Sequence, residues 1–213
     1  MLQLDGYRDL EVIYDGGKSQ VFRATRDEDG APVVLKLLKA ERPSMEERTR
    51  YHHEYLLASS HAMEQVIRAH AMHPCGQSLV ICFDDIGGDA LRYCFQGGPP
   101  DVASLLRLSI QIADALGELH RASLIHKDIN PANIVWNRAT GALRLIDLGI
   151  STRLKRQTLD NQDAHRFEGT LAYMAPEQTG RMNRSVDRRT DLYALGVTLY
   201  ELATCTVLSL IHI

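Results

Sequence analysis

Between residues 126 and 149 the chain places an acid, Asp128, an amide five positions on, Asn133, and a second acid, Asp147, after an apolar stretch broken by turn formers. Ile134-Val135-Trp136 and Leu143-Arg144-Leu145 read as two short strands around Asn137-Arg138-Ala139-Thr140-Gly141. That hairpin brings Asp147 back beside Asn133. Asp128 suits a group that orients a hydroxyl or takes its proton, Asn133 offers a neutral oxygen ligand, and Asp147 offers an anionic one. Phosphoryl transfer with a hard divalent cation asks for such a set, because it needs positioning and charge more than covalent chemistry.

His126-Lys127-Asp128-Ile129, closed by Asn133, and Asp147-Leu148-Gly149 resemble the H-R-D-L-x-x-x-N and D-F-G motifs of the protein kinase superfamily. Gly169-Thr170-Leu171-Ala172-Tyr173-Met174-Ala175-Pro176-Glu177 is similar to the G-T-x-x-Y-M-A-P-E ending of serine/threonine kinases. Small-molecule kinases of the aminoglycoside phosphotransferase type generally lack that ending. Asp191 to Gly196 matches the D-x-x-x-x-G start of a central helix. The resemblance implies that Asp191 caps this helix and accepts hydrogen bonds from the backbone of the catalytic loop. It also implies an α+β, bilobal kinase-like fold with ATP and Mg²⁺ as cofactors. The expected layout is a β-rich lobe with one helix over residues 1–83, a hinge over 84–88, and a mainly helical partial lobe over 89–207.

Upstream, the sequence alternates strand-like runs with turns. Residues 10–14, 21–25 and 33–38 are apolar or β-branched, separated by Asp15-Gly16-Gly17-Lys18-Ser19 and Arg26-Asp27-Glu28-Asp29-Gly30. Taken alone, Gly16-Gly17 is a hairpin turn. By resemblance it is the phosphate-covering loop, with Gly16 as the middle glycine, Val21 as the valine that closes the motif, and Val33-Val34-Leu35-Lys36 standing for V-A-I-K. A helix is expected over 44–60, and within it Glu54 sits among apolar neighbours while Glu46 and Glu47 lie in a solvated charge run. The resemblance pairs Glu54 with Lys36 and so places Lys36 on the α and β phosphates. Residues 79–83 read as a buried strand leading into Asp84-Asp85-Ile86-Gly87-Gly88. There the backbone of Asp84 and Ile86 would take the adenine edge, with Phe83 as gatekeeper. Residues 102–120 form an amphipathic helix with Leu105, Leu106, Leu108, Ile112, Leu116 and Leu119 near helical spacing.

The chain departs from the family at several positions. Tyr14 and Ser19 stand where the outer glycines of the phosphate loop belong. Asn130 occupies the catalytic-loop position where a lysine usually meets the transferring phosphate. One cation is therefore missing from the transition-state clamp, a loss worth about 10²–10³ in rate where one such donor has been removed from other enzymes. Lys127 replaces the usual arginine and is a poorer bidentate partner for a phosphate. Ser151, Thr152 and Thr158 are candidate modification sites, but surface hydroxyls are common and each is expected to be unmodified.

Composition supplies the exclusions. A net charge of −3 with a pI near 6.3 speaks against a nucleic-acid partner. Cys75, Cys82, Cys94 and Cys205 form no C-x-x-C pair. With no basic-then-apolar start, they read as reduced thiols of a cytoplasmic protein. His70-x-x-His73-x-Cys75 lacks a fourth ligand at a recognisable spacing and reads as a loop with incidental histidines. The apolar run after Leu192 carries Glu201 in its middle and reads as a core helix rather than a membrane span. The resemblance fades near residue 204, before the helices that complete a kinase large lobe. Residues 208–213 are similar to a translated sequencing adapter, so a non-native tail on a truncated lobe is expected.

The closest likeness is to the amino-terminal kinase modules of large bacterial signalling proteins that also carry an ATPase-type region, a GAF domain and a sensor histidine kinase. Protein substrates with serine or threonine and downstream domains of the same polypeptide are the implied partners. With Lys36, Asp128, Asn133 and Asp147 all present, the function expected is an active serine/threonine protein kinase, the alternatives being an ATP-binding pseudokinase that docks proteins and, behind it, a small-molecule phosphotransferase.

Overall fold

The computed structural model describes residues 4–60, 63–153, 170–179 and 184–208. The chain divides into two compact units, one made of Met1–Ala62 and Ile67–Gly87, the other of Met63–Val66 and Gly88–Ile213.

The first unit is an antiparallel five-stranded sheet with one helix. Its strands are β1 (Tyr7–Asp15), β2 (Ser19–Arg26), β3 (Pro32–Leu38), β4 (Ala69–Cys75) and β5 (Ser78–Asp84), in the order β1-β2-β3-β5-β4. The helix α1 is Met45–Ser60. Alternation sorts the strands into two faces. Phe22, Ala24, Val33, Leu35, Leu37, Val80 and Cys82 form a buried cluster, while Val21, Lys36 and Ile81 are cross-strand partners in one row on the opposite face. A capping box starts α1: the Ser44 N–H donates to Glu47 Oε2 at 2.8 Å and the Glu47 N–H donates to Ser44 Oγ at 3.2 Å. The helix buries Tyr51, Glu54, Leu57 and Ala58. His70, His73 and Cys75 lie on strand β4, not in the loop expected from the sequence. The strand is an edge, which tolerates Pro74 and a weak alternation. The His73 Nε2 meets the Tyr7 hydroxyl at 3.1 Å, and His70 pairs with the Asp84 carboxylate.

The second unit is mainly helical. It begins with β6 (Asp89–Ala90) and the short α2 (Leu91–Cys94), followed by the 20-residue α3 (Val102–Arg121). Then come β7 (Leu124–Ile125), β8 (Ile134–Trp136), β9 (Leu143–Leu145), β10 (Thr152–Arg153) and finally α4 (Arg188–Thr204). β8 and β9 make the expected hairpin, with β6 added beside β8, and β10 pairs with β7. Gly88 is needed beside this sheet, since a Cβ there would lie 2.6 Å from the Trp136 carbonyl carbon. Leu108, Ile112, Ala115, Leu116 and Leu119 form the buried face of α3. Leu106, counted from the sequence with that face, is exposed. The N-cap of α4 is Asp187, whose carboxylate accepts the Arg189 N–H at 2.8 Å. Asp191 therefore does not cap the helix, and its carboxylate is engaged elsewhere. Among the described residues no helix is long and apolar enough to cross a membrane.

Asp101 caps α3, accepting the Ser104 N–H at 3.0 Å and the Ser104 hydroxyl at 2.6 Å, and these bonds hold its carboxyl below the usual range. A depressed carboxyl stabilises the fold above its unfolded-state value and loses that contribution as pH falls through the folded-state value. Asp101→Ala should therefore lower the melting temperature at pH 7. The gap to wild type should close as pH drops below the ordinary carboxylate range, about 3.9, and on through the depressed value. Melting curves across pH check this; a gap independent of pH contradicts it.

Candidate functional site

In the first unit, Lys36 stands on β3 with its ammonium directed at α1. Its Nζ donates to Glu54 Oε1 at 2.7 Å and Oε2 at 2.8 Å. The Glu54 side chain is 3% exposed and that of Lys36 15%, and the Tyr51 ring centroid lies 5.7 Å from Nζ. Glu46 and Glu47, the sequence alternatives, are directed elsewhere: Glu47 closes the capping box and Glu46 lies 3.7 Å from Arg50. Val21 shares the row of Lys36, and Phe83, paired with Val34, shares its face. At the sheet edge Gly16 N–H donates to Ser19 O at 3.0 Å. The loop is tied to Lys39, whose N–H donates to Lys18 O at 2.9 Å and whose ammonium reaches Asp15 at 2.7 Å. The Tyr14 phenol lies against Gly16, where a Cβ would come within 2.6 Å of its oxygen. Gly17 has open space around it.

After β5, the Asp84 N–H donates to Arg68 O at 3.0 Å. What fixes the next residues has no local signature in the amino-acid order. Asp85, 5% exposed in its side chain, accepts from Arg23 at 2.6 Å and from the Gly87 N–H at 2.7 Å. This clamp spans Ile86. Only a charged residue in a β2 row otherwise apolar at Val21 could have hinted at it.

In the second unit the segment 126–133 is organised around Asp191, which is 0% exposed. The Asp191 carboxylate accepts the His126 N–H at 3.0 Å, the Lys127 N–H at 2.8 Å and His120 Nε2 at 2.8 Å. Lys127 has φ +71°, a conformation costly for a side-chain-bearing residue, and turns its N–H inward. His126, fully buried, takes the Asp128 N–H on Nδ1 at 3.3 Å and meets the Ile146 carbonyl with Nε2 at 3.0 Å. A donor at Nδ1 and an acceptor at Nε2 select the neutral tautomer with the proton on Nε2.

Three donors hold the Asp128 carboxylate. Oδ1 accepts the Thr170 N–H at 2.8 Å and Asn130 Nδ2 at 3.1 Å, and Oδ2 accepts Asn133 Nδ2 at 2.9 Å. With its nitrogen on Asp128, the Asn133 amide turns its oxygen the other way. The Ile146 N–H donates to the Asn133 carbonyl at 3.0 Å, so Asp147, with φ +63°, follows directly on a bond to Asn133. This is the juxtaposition the hairpin implied. One carboxylate and one amide oxygen, completed by water and phosphate, suit Mg²⁺, which keeps much of its own hydration. Among the described residues no group of three or more His, Cys, Asp or Glu could hold a metal by itself.

The segment after residue 169 is fastened to the same loop. Gln178 Nε2 donates to Lys127 O at 2.9 Å, Glu177 Oε1 accepts the Thr190 hydroxyl at 2.8 Å, and the Tyr173 hydroxyl bonds Glu201. Burial, reinforced by Glu201, pushes the Tyr173 phenol above its ordinary range. His120, Thr170 and Gln178 were not singled out from the sequence. Ser151 is buried with its hydroxyl on the His126 carbonyl at 3.3 Å, and Thr158 lies outside the described residues.

Comparison with known families agrees with this arrangement. The protein kinase domain family matches residues 7–210. The chain belongs to that family, and a β-sheet unit and a mainly helical unit are the α+β organisation expected of it. Its relatives are serine/threonine protein kinases. They include the probable serine/threonine-protein kinase PknB of Corynebacterium glutamicum, 32% identical over 209 residues, covering 94% of this chain and 31% of that protein. PkaA of Streptomyces coelicolor is 33% identical over 188 residues, covering 85% and 33%. PrkC of Bacillus subtilis is 28% identical over 200 residues, covering 93% and 30%. The chain thus spans about a third of the length of the curated relatives it matches.

Asp191→Ala would leave two backbone N–H groups and His120 facing an empty interior. Each buried unsatisfied donor costs about 1–3 kcal/mol, so a loss of about 3–5 kcal/mol is expected in urea unfolding. A loss under about 1 kcal/mol would show that the carboxylate does not organise this loop.

Proposed function

We propose that the chain transfers the γ-phosphate of ATP to serine or threonine hydroxyls of proteins, as a cytoplasmic signalling module of a larger bacterial protein. The observation that carries this reading is the Asp128 carboxylate, fixed by Thr170, Asn130 and Asn133. A held carboxylate can orient a substrate hydroxyl and accept its proton as the oxygen attacks phosphorus. Lys36, anchored by Glu54, would neutralise the α and β phosphates. Asn133 and Asp147 would hold Mg²⁺, which when bound offsets charge on the phosphate oxygens. Gly16 and Gly17 would cover the phosphates, Val21 and Phe83 would flank the adenine, and the backbone of Asp84 and Ile86 would read its edge. The multidomain setting is supported by the length of the relatives and by the resemblance of Asp84 to Gly88 and His126 to Pro131 to modules of that kind.

A second reading, an ATP-binding docking module without transfer, is favoured by Asn130 in the place of a cation and by Tyr14 and Ser19 in the place of glycines. A small-molecule phosphotransferase fits less well, because residues 170–179 carry the peptide-kinase ending and are fastened to the Lys127 carbonyl.

Transfer of radiolabelled phosphate from ATP to a generic basic protein separates these readings. Asp128→Asn and Asp147→Asn should each lower transfer by about 10³-fold or more, with the fold retained. Transfer that survives either variant overturns the assigned roles. Folded protein that binds ATP and transfers nothing establishes the docking module.

A further inference from the structure

Asn130 is 3% exposed, and both ends of its amide are committed to protein atoms. Oδ1 accepts the Ala132 N–H at 2.9 Å. Nδ2 faces the Asp128 carbonyl and Oδ1, each at 3.1 Å, and the Thr170 hydroxyl at 3.4 Å. The first bond is a local turn that sets the backbone after Pro131, from which the Asn133 N–H returns to Asn130 O at 3.0 Å. The others join three separate pieces: the carboxylate of residue 128, the backbone beneath it, and Thr170 from a distant part of the sequence. A short amide turned inward in this way does not extend to a phosphate as a lysine stem does.

We infer that Asn130 is a positioning residue: it fixes the plane of the Asp128 carboxylate against Thr170 and takes no part in binding the transferring phosphate. The inference rests on the kinase reading of Asp128. Asn130 apart, Asp128 has one donor at each oxygen, the Thr170 N–H at Oδ1 and Asn133 at Oδ2, too few to stop its plane from turning off the Thr170 N–H. Asn133 is also the residue whose other end is assigned to the metal. With Asn130 in place, the carboxylate is held independently of whatever Asn133 does, so base and metal ligand need not move together. The chain has exchanged a cation aimed at the substrate for a neutral amide aimed at the base.

Asn130→Ala tests this role without added charge, and Asn130→Asp tests it with a second carboxylate set against Asp128. Asn130→Asp keeps an oxygen for the Ala132 N–H, so the turn survives, and it removes the donors to Asp128 and Thr170. Single-turnover transfer, equilibrium ATP binding, melting temperature and crystal structures are compared for the wild-type protein, Asn130→Asp and Asn130→Ala. Both variants should slow transfer by about 10- to 100-fold, the scale of a small misplacement of a reacting group. ATP affinity should stay within about twofold, while the Asp128 carboxylate rotates away from the Thr170 N–H. Transfer within about twofold of wild type in Asn130→Asp overturns the inference. So does a fall in ATP affinity parallel to the fall in rate, which would put Asn130 on the nucleotide. If the wild-type protein binds ATP and transfers nothing, the kinase reading fails. The crystals then decide the inference alone, and an unmoved Asp128 carboxylate in both variants overturns it.

Discussion

A fully buried carboxylate must find hydrogen-bond donors in place of water, and Asp191 satisfies that demand with the loop that carries the chemistry. The dependence runs both ways. The His126 and Lys127 N–H groups point inward because the carboxylate is there, and the left-handed Lys127 backbone is the conformation that lets them do so. Once those two groups are fixed, His126 has one orientation that satisfies both ring nitrogens. Its bond to the Asp128 N–H then sets where the catalytic candidate leaves the loop. The Asp191 carboxylate thus holds three successive residues, His126 and Lys127 directly and Asp128 through the His126 ring, and α3 contributes His120 to the same carboxylate. Asp187 makes this arrangement affordable to α4 by satisfying the helix start, which leaves Asp191 free to face away from its own helix.

The first unit solves its positioning problem with an ion pair instead. Lys36 and Glu54 lose hydration on burial, and such a pair contributes little net stability compared with apolar side chains of the same size. Its value lies in specificity: removing either partner leaves a charge stranded, so the sheet and α1 are held in one relation. Arg23 and Asp85 repeat the device one row along the same face, where the exit from β5 would otherwise be free to shift. Charged groups that bond to fixed partners give this unit its directional contacts, while Leu35 and Val80, fully buried, supply the nondirectional driving force.

How much of this was legible depends on the range of the interaction concerned. Asp128, Asn133 and Asp147 could be read because their spacing and the hairpin between them are local, and α1 because Ser44 and Glu47 announce it three residues apart. The Lys36 to Glu54 pair needed the family resemblance to choose among three glutamates, and the structure shows why the others were unsuited: one closes a cap, the other stays near Arg50 in solvent. His120, Thr170, Gln178 and the Arg23 clamp were not legible, since each acts on residues far away in sequence and none has an unusual neighbour. Two readings needed correction. The cap that the family motif assigns to Asp191 belongs to Asp187, four residues earlier, while the bonds from the catalytic-loop backbone that the same motif assigns to Asp191 are present. His70 to Cys75 reads as a loop once a metal site is set aside for want of a fourth ligand, yet the run forms an edge strand, which accepts Pro74.

The electrostatics of the second unit have a consistent character. Every donor found on Asp128 is neutral: a backbone N–H and two amides. Asp191 is held by two backbone N–H groups and the His120 ring. Neutral donors fix geometry well and stabilise developing charge less than a cation does. In the proposed reaction, charge on the transferring phosphate must then be met by Lys36 and the metal, which concentrates the catalytic burden on fewer groups while leaving the acceptor hydroxyl firmly oriented. A kinase built this way gives up rate before it gives up alignment. The difference between an active enzyme and a nucleotide-binding docking module then lies in how completely those remaining cations are brought to the phosphate, and not in the loop around Asp128.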